Sequence, residues 1–385
     1  MKKTIGLCLA YKGTNYGALL QAYATQYAIE KIGYSTEILD YYPGKTHRFV
    51  FAPETIAYIG ISKIKNKVRP KTINTGCSDG LHEKNRKMRK EVADGFRASR
   101  FHNIVRLVGF EELTRRATRY HAVIVGSDQL WEPNVAFSYF YSLRFVPKGV
   151  TRVSFATSTG VSKYPWYVKR LAAKFLKEID YLSVREAAGQ EIIKKISGRD
   201  AEIVLDPTYL HTKEEWERLI PKEEIVEPGY VLNFFLGNNV EMKELARKVA
   251  KEKGLRLVDI LSNEGDADSQ PVGDEILIGQ TPEAFINLIR NAECIFTDSF
   301  HCFTFSVINM KQVYVSYRIR QGLASRNMRI DHIVKLFGLE KRLIVSADCF
   351  KLDEEEIDYS QVTQKIDKLR QASWTFLQKA LSAGE

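Results

Sequence analysis

The sequence predicts an α/β protein built from two open, doubly wound domains. Short apolar runs alternate with helical stretches through both halves, the pattern of parallel strands covered by helices on both faces. A charged stretch at 206–229 with Pro207, Pro221 and Pro228 separates the halves. The length of 385 residues and a hydrophobic share of 44% suit two well-packed domains.

In chain order, "TIGLCLA" reads as a buried strand, "YKGTNYG" as a turn, "ALLQAYATQYAIEKIG" as a helix ended by Gly33, and "TEILDYY" as a second strand. After residues 45–119 the pattern resumes with strands "AVIVG" and "RVSFAT", a helix over 167–179, strand "YLSVRE", a helix around 190–196 and strand "EIVLD". The stretch 206–229 reads as the connection and a hinge. The second half repeats the scheme: strand "YVLNFFLG", a helix over 241–253, strands "LRLVDIL" and "EILIG", then the capped helix "TPEAFINLIRNA". Strand "ECIFT", helix "SFHCFTFSVINM" and strand "QVYVSY" complete it. The expected domains are 1–212 and 228–350, with a C-terminal helix over 355–385 packing back on the first domain. In such sheets ligands bind at the carboxyl ends of strands, which places a site in the cleft between the domains.

Composition narrows the function. No run approaches the roughly 18 to 20 apolar residues of a membrane span, and the apolar run 4–10 is too short for a secretory signal, so a cytoplasmic location is expected. Cys8, Cys77, Cys294, Cys302 and Cys349 form no C-x-x-C pair, so neither disulfides nor a metal site is expected. Residues 45–119 hold 18 Lys+Arg against 7 Asp+Glu, more than the net charge of +10 for the whole chain. That segment is expected to be helical. It is either a solvated face or a surface that gathers an anionic polymer or an acidic membrane. It carries no regular aromatics and no nucleic-acid module, which argues against nucleic acid.

Chemistry is expected at the strand ends. In "CIFTDSFHCFTFS", Asp298 or Ser299 caps the next helix and places His301 in its first turn, beside unpaired backbone amides that attract anions. The 31 residues 300–330 contain no acid but hold Lys311, Arg318, Arg320, Arg326 and Arg329. In "YLSVREAAG", Arg185 offers a planar fork for a carboxylate or phosphate, with a salt bridge to a neighbouring loop as the alternative. In "VIVGSDQLW", Ser127, Asp128 and Gln129 follow the strand, and Trp131 is placed to stack on a sugar; the alternative is an Asp cap followed by a packing Trp. "KGTNYG" is no nucleotide fingerprint, but Gly13 and Gly17 allow close backbone approach and Asn15 can face the cleft. Asp206 in "VLDPTYL" reads as a cap or turn ahead of a catalytic carboxylate.

Taken in order, "NYGALLQAYA", "VIVGSDQLW", "LSVREAAG", "VLDPTYL", "FTDSFH" and "RIDHIVKLFGL" resemble the polysaccharide pyruvyl transferase family over about residues 4–381, most weakly in 45–119. The resemblance implies two facing Rossmann-like domains similar to the GT-B glycosyltransferase fold. It implies transfer of a pyruvyl group from phosphoenolpyruvate to sugar hydroxyls of a polysaccharide or its lipid-linked precursor, giving a pyruvate ketal and phosphate. The setting would be bacterial capsule, exopolysaccharide or cell-wall assembly, peripheral at the inner face of the plasma membrane through the basic segment. His301 and Arg185 are the implied catalytic residues, and Asp128, from its place at a strand end, is the candidate for accepting the sugar hydroxyl proton. The resemblance places Arg185, His301 and Arg329 in the donor set, to which the capping Ser299 and Arg326 of the acid-free stretch are added, and the strand-end residues Asn15, Asp128, Gln129 and Trp131 form the expected acceptor set. No cofactor beyond the donor substrate is implied. Ser299 stands where some branches carry arginine, and Cys302 stands where glycine is commoner, which is expected to narrow the pocket. A nucleotide-sugar glycosyltransferase on the same architecture is the alternative, disfavoured by the acid-free stretch. A noncatalytic polysaccharide- or membrane-binding relative is the other.

Overall fold

The computed structural model describes residues 2–44, 80–133, 139–262, 271–318, 327–350 and 355–382. Ile5, Leu7, Ile38, Ile124 and Val153 are fully buried because the strands that carry them are covered on both faces. These strands belong to a parallel sheet of β1 (Thr4–Cys8), β2 (Ser35–Tyr42), β3 (Ile104–Val108), β4 (Ala122–Val125), β5 (Thr151–Thr157), β6 (Tyr181–Val184) and β7 (Glu202–Ile203), ordered β3-β2-β1-β4-β5-β6-β7. The helices between them are α1 (Tyr16–Lys31), α2 (Gly80–Arg100), α3 (Phe110–Ala117), α4 (Trp166–Glu178) and α5 (Ala187–Ser197).

After α6 (Lys213–Leu219), the second parallel sheet comprises β8 (Tyr230–Phe234), β9 (Arg256–Ile260), β10 (Glu275–Leu277), β11 (Cys294–Thr297), β12 (Gln312–Ser316) and β13 (Leu343–Ile344), in the order β10-β9-β8-β11-β12-β13. Its helices are α7 (Val240–Glu252), α8 (Pro282–Asn291), α9 (Phe300–Ile308) and α10 (Met328–Phe337), and α11 (Tyr359–Ser382) closes the chain. Both sheets reverse direction beside their first strand, between β1 and β4 and between β8 and β11. Each reversal opens the crevice in which Rossmann-type sheets bind ligands.

The two sheets share one apolar core. Tyr16 at the start of α1 stacks on Phe285 of α8 with ring centroids 4.6 Å apart, and its hydroxyl donates to the Gln280 carbonyl at 2.9 Å. The expected hinge at 206–229 is largely packed. Thr212 and Glu215 form a capping box for α6, and the buried Trp216 ring meets Phe305 of α9 at 5.0 Å and donates to Thr208 O at 2.9 Å. α11 touches both domains. Near its start Tyr359 donates to Lys311 O and Lys365 to Phe337 O, whereas farther along Ser373 accepts from Leu205 N at 2.9 Å and Leu381 O accepts from Tyr34 at 2.9 Å.

Where the basic segment is described it holds two helices and one strand, and part of its charge is buried. Residues 45–79 lie outside the described residues, and the remainder contains β3, an edge strand paired with β2 from Ile38↔Ile104 to Tyr42↔Val108. α2 is anchored by part of its own charge. Arg89 is buried, donates to Thr14 O and lies 3.3 Å from the Tyr16 ring centroid; Arg97 donates to Gly13 O at 2.8 Å. Asn85 bridges to the second domain through Leu261 O at 3.1 Å and Gly279 N at 2.8 Å. Lys84, Arg86, Lys87 and Lys90 remain exposed. Among the described residues no helix is long and apolar enough to cross a membrane.

Candidate active site

The two crevices face one another across a cavity of about 250 Å³. The first domain contributes Asn15 after β1 and Asp128 and Gln129 after β4. The second contributes Leu236 after β8, Asp298 to His301 after β11, Arg318 after β12, and Asn327 and Arg329 at the start of α10.

On the second-domain side, Ser299 is the N-cap of α9 and accepts from Cys302 N at 3.3 Å, so its hydroxyl oxygen is engaged in building the wall. Asp298 clamps the neighbouring loop by accepting from Leu236 N at 2.6 Å and Gly237 N at 2.9 Å. Burial raises its carboxyl from the usual value to about 6, with these two amides pulling the other way. His301 is buried but lines the cavity, with Nε2 3.7 Å from Asp206 Oδ2. Its ring lies so close to α1 that a Cβ on Gly17 would stand 2.1 Å from Nδ1. The close approach expected of Gly17 is therefore an approach to this imidazole.

On the first-domain side, Asp128 has φ +77°, a left-handed conformation that Asp tolerates better than most residues. Its carbonyl accepts from Leu130 N at 2.8 Å and Ser158 N at 2.9 Å, and its carboxylate lies 3.6 Å from Arg185 and 3.9 Å from Arg329. Asn15 caps α1 by accepting from Ala18 N at 3.1 Å. Arg185 sits one layer behind the wall. Its Nη1 donates to Asp206 Oδ2 at 2.8 Å and Ser127 Oγ at 3.3 Å, its Nε is 3.5 Å from Glu186, and the Phe300 ring covers the guanidinium at 4.5 Å. Burial pushes the Glu186 carboxyl up. Burial would do the same to Asp206, but His301, Arg185 and the Ser127 hydroxyl outweigh it and hold that carboxyl well below the usual range.

Asn15, Asp128, Gln129, Ser299, His301 and Arg329 therefore come together on one cavity, with Arg185 supporting it from beneath. Arg326 lies outside the described residues. Two expectations are corrected. Trp131 is fully buried, packs edge-on against Phe175 at 5.5 Å and donates to Tyr141 O at 3.0 Å, so it is a core side chain and offers no face to a sugar. Cys302, on the core side of α9, is fully buried and does not line the cavity, so it does not narrow it. Sequence reasoning missed Asp206 as a partner of Arg185 and His301, and Phe300 as the cover over Arg185. It also missed Asn327 and gave Arg318 no individual role. Asp206 carried a signal, since it lies in one of the six motifs.

Fold and site define a two-domain α/β protein with its cavity between the carboxyl ends of two Rossmann-like sheets. The chain belongs to the polysaccharide pyruvyl transferase family, whose model matches residues 15–317, and is thereby a polysaccharide-modifying transferase. No curated protein matches the sequence. Among solved structures it is similar to a putative UDP-N-acetylglucosamine 2-epimerase from Listeria monocytogenes, with TM-score 0.50 and 11% identity, covering 100% of this chain and 96% of that one. It is also similar to the UDP-GlcNAc 2-epimerase from Methanocaldococcus jannaschii, with TM-score 0.49, 13% identity and coverage of 95% and 92%. At these identities the likeness is one of fold alone.

Proposed function

We propose that the protein transfers a pyruvyl group from phosphoenolpyruvate to two hydroxyls of one sugar in a polysaccharide or its lipid-linked precursor, forming a ketal and releasing phosphate. The observation that carries this reading is the division of the cavity: His301, Arg318, Arg329 and the N-terminus of α9 on one wall, Asp128, Gln129 and Asn15 on the other. The positive wall suits a donor with both a carboxylate and a phosphate. His301 gives a proton to the donor methylene, since imidazole is the side chain whose ordinary titration falls near neutrality. The neighbouring carbon becomes an oxocarbenium centre and is attacked by the first sugar hydroxyl, whose proton passes to Asp128. Phosphate then leaves with its bonding electron pair and takes up the proton held by Asp128, and the second hydroxyl closes the ketal as its proton returns to the imidazole of His301. Arg329 and Arg318 stabilise the charge that develops on the phosphate. The exposed Lys84, Arg86, Lys87 and Lys90 gather an anionic acceptor, or the membrane surface carrying it, without touching the donor.

The test is incubation with phosphoenolpyruvate and a panel of synthetic and lipid-linked glycosides, reading phosphate and product mass together. One phosphate released per pyruvate ketal formed is the expected result. Consumption of a nucleotide sugar, with phosphoenolpyruvate untouched, would overturn the reading.

A further inference from the structure

His301 belongs to the second domain, yet both of its ring nitrogens face the first. Nε2 stands 3.7 Å from Asp206 Oδ2, and the edge carrying Nδ1 and Cγ fills the space where a side chain at position 17 would begin, 2.1 and 2.3 Å from an ideal Cβ. We infer that Asp206 and Gly17 are positioning residues that seat His301 across the domain boundary, so that the proton donor is productive only when α9 is docked on the first domain. The inference rests on the proposed role of His301 as proton donor.

Asp206 is built to hold one position. It caps the short 3-10 turn Pro207–Leu210, with Oδ1 accepting from Thr208 N at 3.2 Å and Thr208 Oγ1 at 2.8 Å. Its other oxygen accepts from Ser127 at 2.7 Å and from Arg185 at 2.8 Å. Four hydrogen bonds from three residues therefore fix a buried carboxylate before the imidazole arrives. A carboxylate behind a functional imidazole selects its tautomer and ring orientation. Here it assigns a proton to Nε2. In the step itself one N–H bond of the imidazolium breaks, a C–H bond forms at the donor methylene, and the ring is left neutral with its second proton. Gly17 makes the seat possible from the other side. The distances allow no methyl group there without displacing the ring, and α1 is held in place by the buried stack of Tyr16 on Phe285.

The full-length wild type, Asp206→Asn and Gly17→Ala are compared by two measurements. The first is ¹⁵N NMR of the His301 imidazole, assigned by its disappearance in His301→Gln. At a pH where the ring is neutral, the expected result is a single Nε2–H tautomer in the wild type and a mixture of tautomers in Asp206→Asn. The second is the separation of kcat from KM for phosphoenolpyruvate. Both variants are expected to lose at least about tenfold in kcat while KM stays within about threefold, the pattern of a lost orienting group rather than a lost binding contact. An unchanged tautomer in Asp206→Asn, or normal kcat in both variants, overturns the inference. Gly17→Ala leaves the Asp206 bonds untouched, so it still decides the question by kcat and by a changed imidazole environment if Asp206→Asn fails to fold. If the wild type does not turn over phosphoenolpyruvate at all, the proposed function fails on that result while the tautomer measurement decides the seat by itself.

Discussion

The two walls of the cavity hold their charges in different ways. On the first-domain side Asp128, Glu186 and Asp206 surround Arg185, and Ser127 and Ser158 donate to two of the three carboxylates. On the second-domain side His301, Arg318 and Arg329 stand on the cavity itself, beside the capped start of α9. The first wall is a frame whose ionised groups mainly hold one another. The second is a face that turns positive charge toward the cavity. The same residue type thus has two placements, which sequence position alone does not separate: Arg185 is buried behind the wall, paired with Asp206, and Arg329 lines the cavity.

The largest expected effect falls on the junction of the two walls. His301→Gln should lower turnover by about 10² to 10⁴, the range for losing a general acid, while calorimetry shows donor affinity within a few-fold of wild type. Near-normal turnover across pH would remove His301 from the chemistry. Arg185→Met tests the frame. It leaves Asp206 buried without its cation and should cost about 3 to 5 kcal/mol in urea unfolding. Intact stability combined with lost donor affinity would move Arg185 onto the ligand face and erase the contrast. Arg329→Gln should do the reverse, weakening donor binding by about 1.5 to 3 kcal/mol, the value of a charge-assisted hydrogen bond, with the unfolding midpoint little changed.

Two smaller effects sharpen the comparison. The Asp298 carboxyl is raised from 3.8 to about 6 by burial, so the stability it contributes is fully present below its unfolded value and is lost as pH rises through about 6. Melting curves of the wild type relative to Asp298→Asn should therefore lose ground between pH 4 and 7. Parallel pH profiles would show that the two amide bonds from Leu236 and Gly237 keep the group ionised throughout. The smallest change is expected from replacing Lys84, Arg86, Lys87 and Lys90 by Gln. The apparent KM for a long or lipid-linked acceptor should rise in a salt-dependent way, and that for phosphoenolpyruvate should not move. Loss of donor binding would place α2 in the cavity wall.

Much of this frame was legible from the residues. Apolar runs marked the strands, and the polar residues just past them are those that reach the cavity: Asn15, Asp128, Gln129 and His301. β3 was hidden because it is an edge strand, with Leu107 alone buried among Ile104–Val108. Trp131 follows a turn through a left-handed Asp128, and which way such a turn sends the next side chains is decided by φ, not by the order of letters. Nothing local distinguishes Arg89 from the exposed cations around it, because its partners Thr14 and Tyr16 lie more than seventy positions away. Asp206 was read correctly as a cap, but only one of its oxygens caps. The other meets Ser127 and Arg185, 79 and 21 positions earlier, and no local pattern shows that.

The closing helix constrains how the cleft can breathe. α11 runs for 24 residues, about 36 Å at 1.5 Å per residue, and is bonded to the second domain near one end and to the first domain along the rest. Two bodies joined by a single covalent crossing can twist as well as part. A rigid splint fastened to both removes the twist and leaves a pivot near the splint. Motion of the domains should then be greatest at the rim farthest from α11, and cutting the chain between β13 and α11 should release rotation of the second domain without unfolding either sheet.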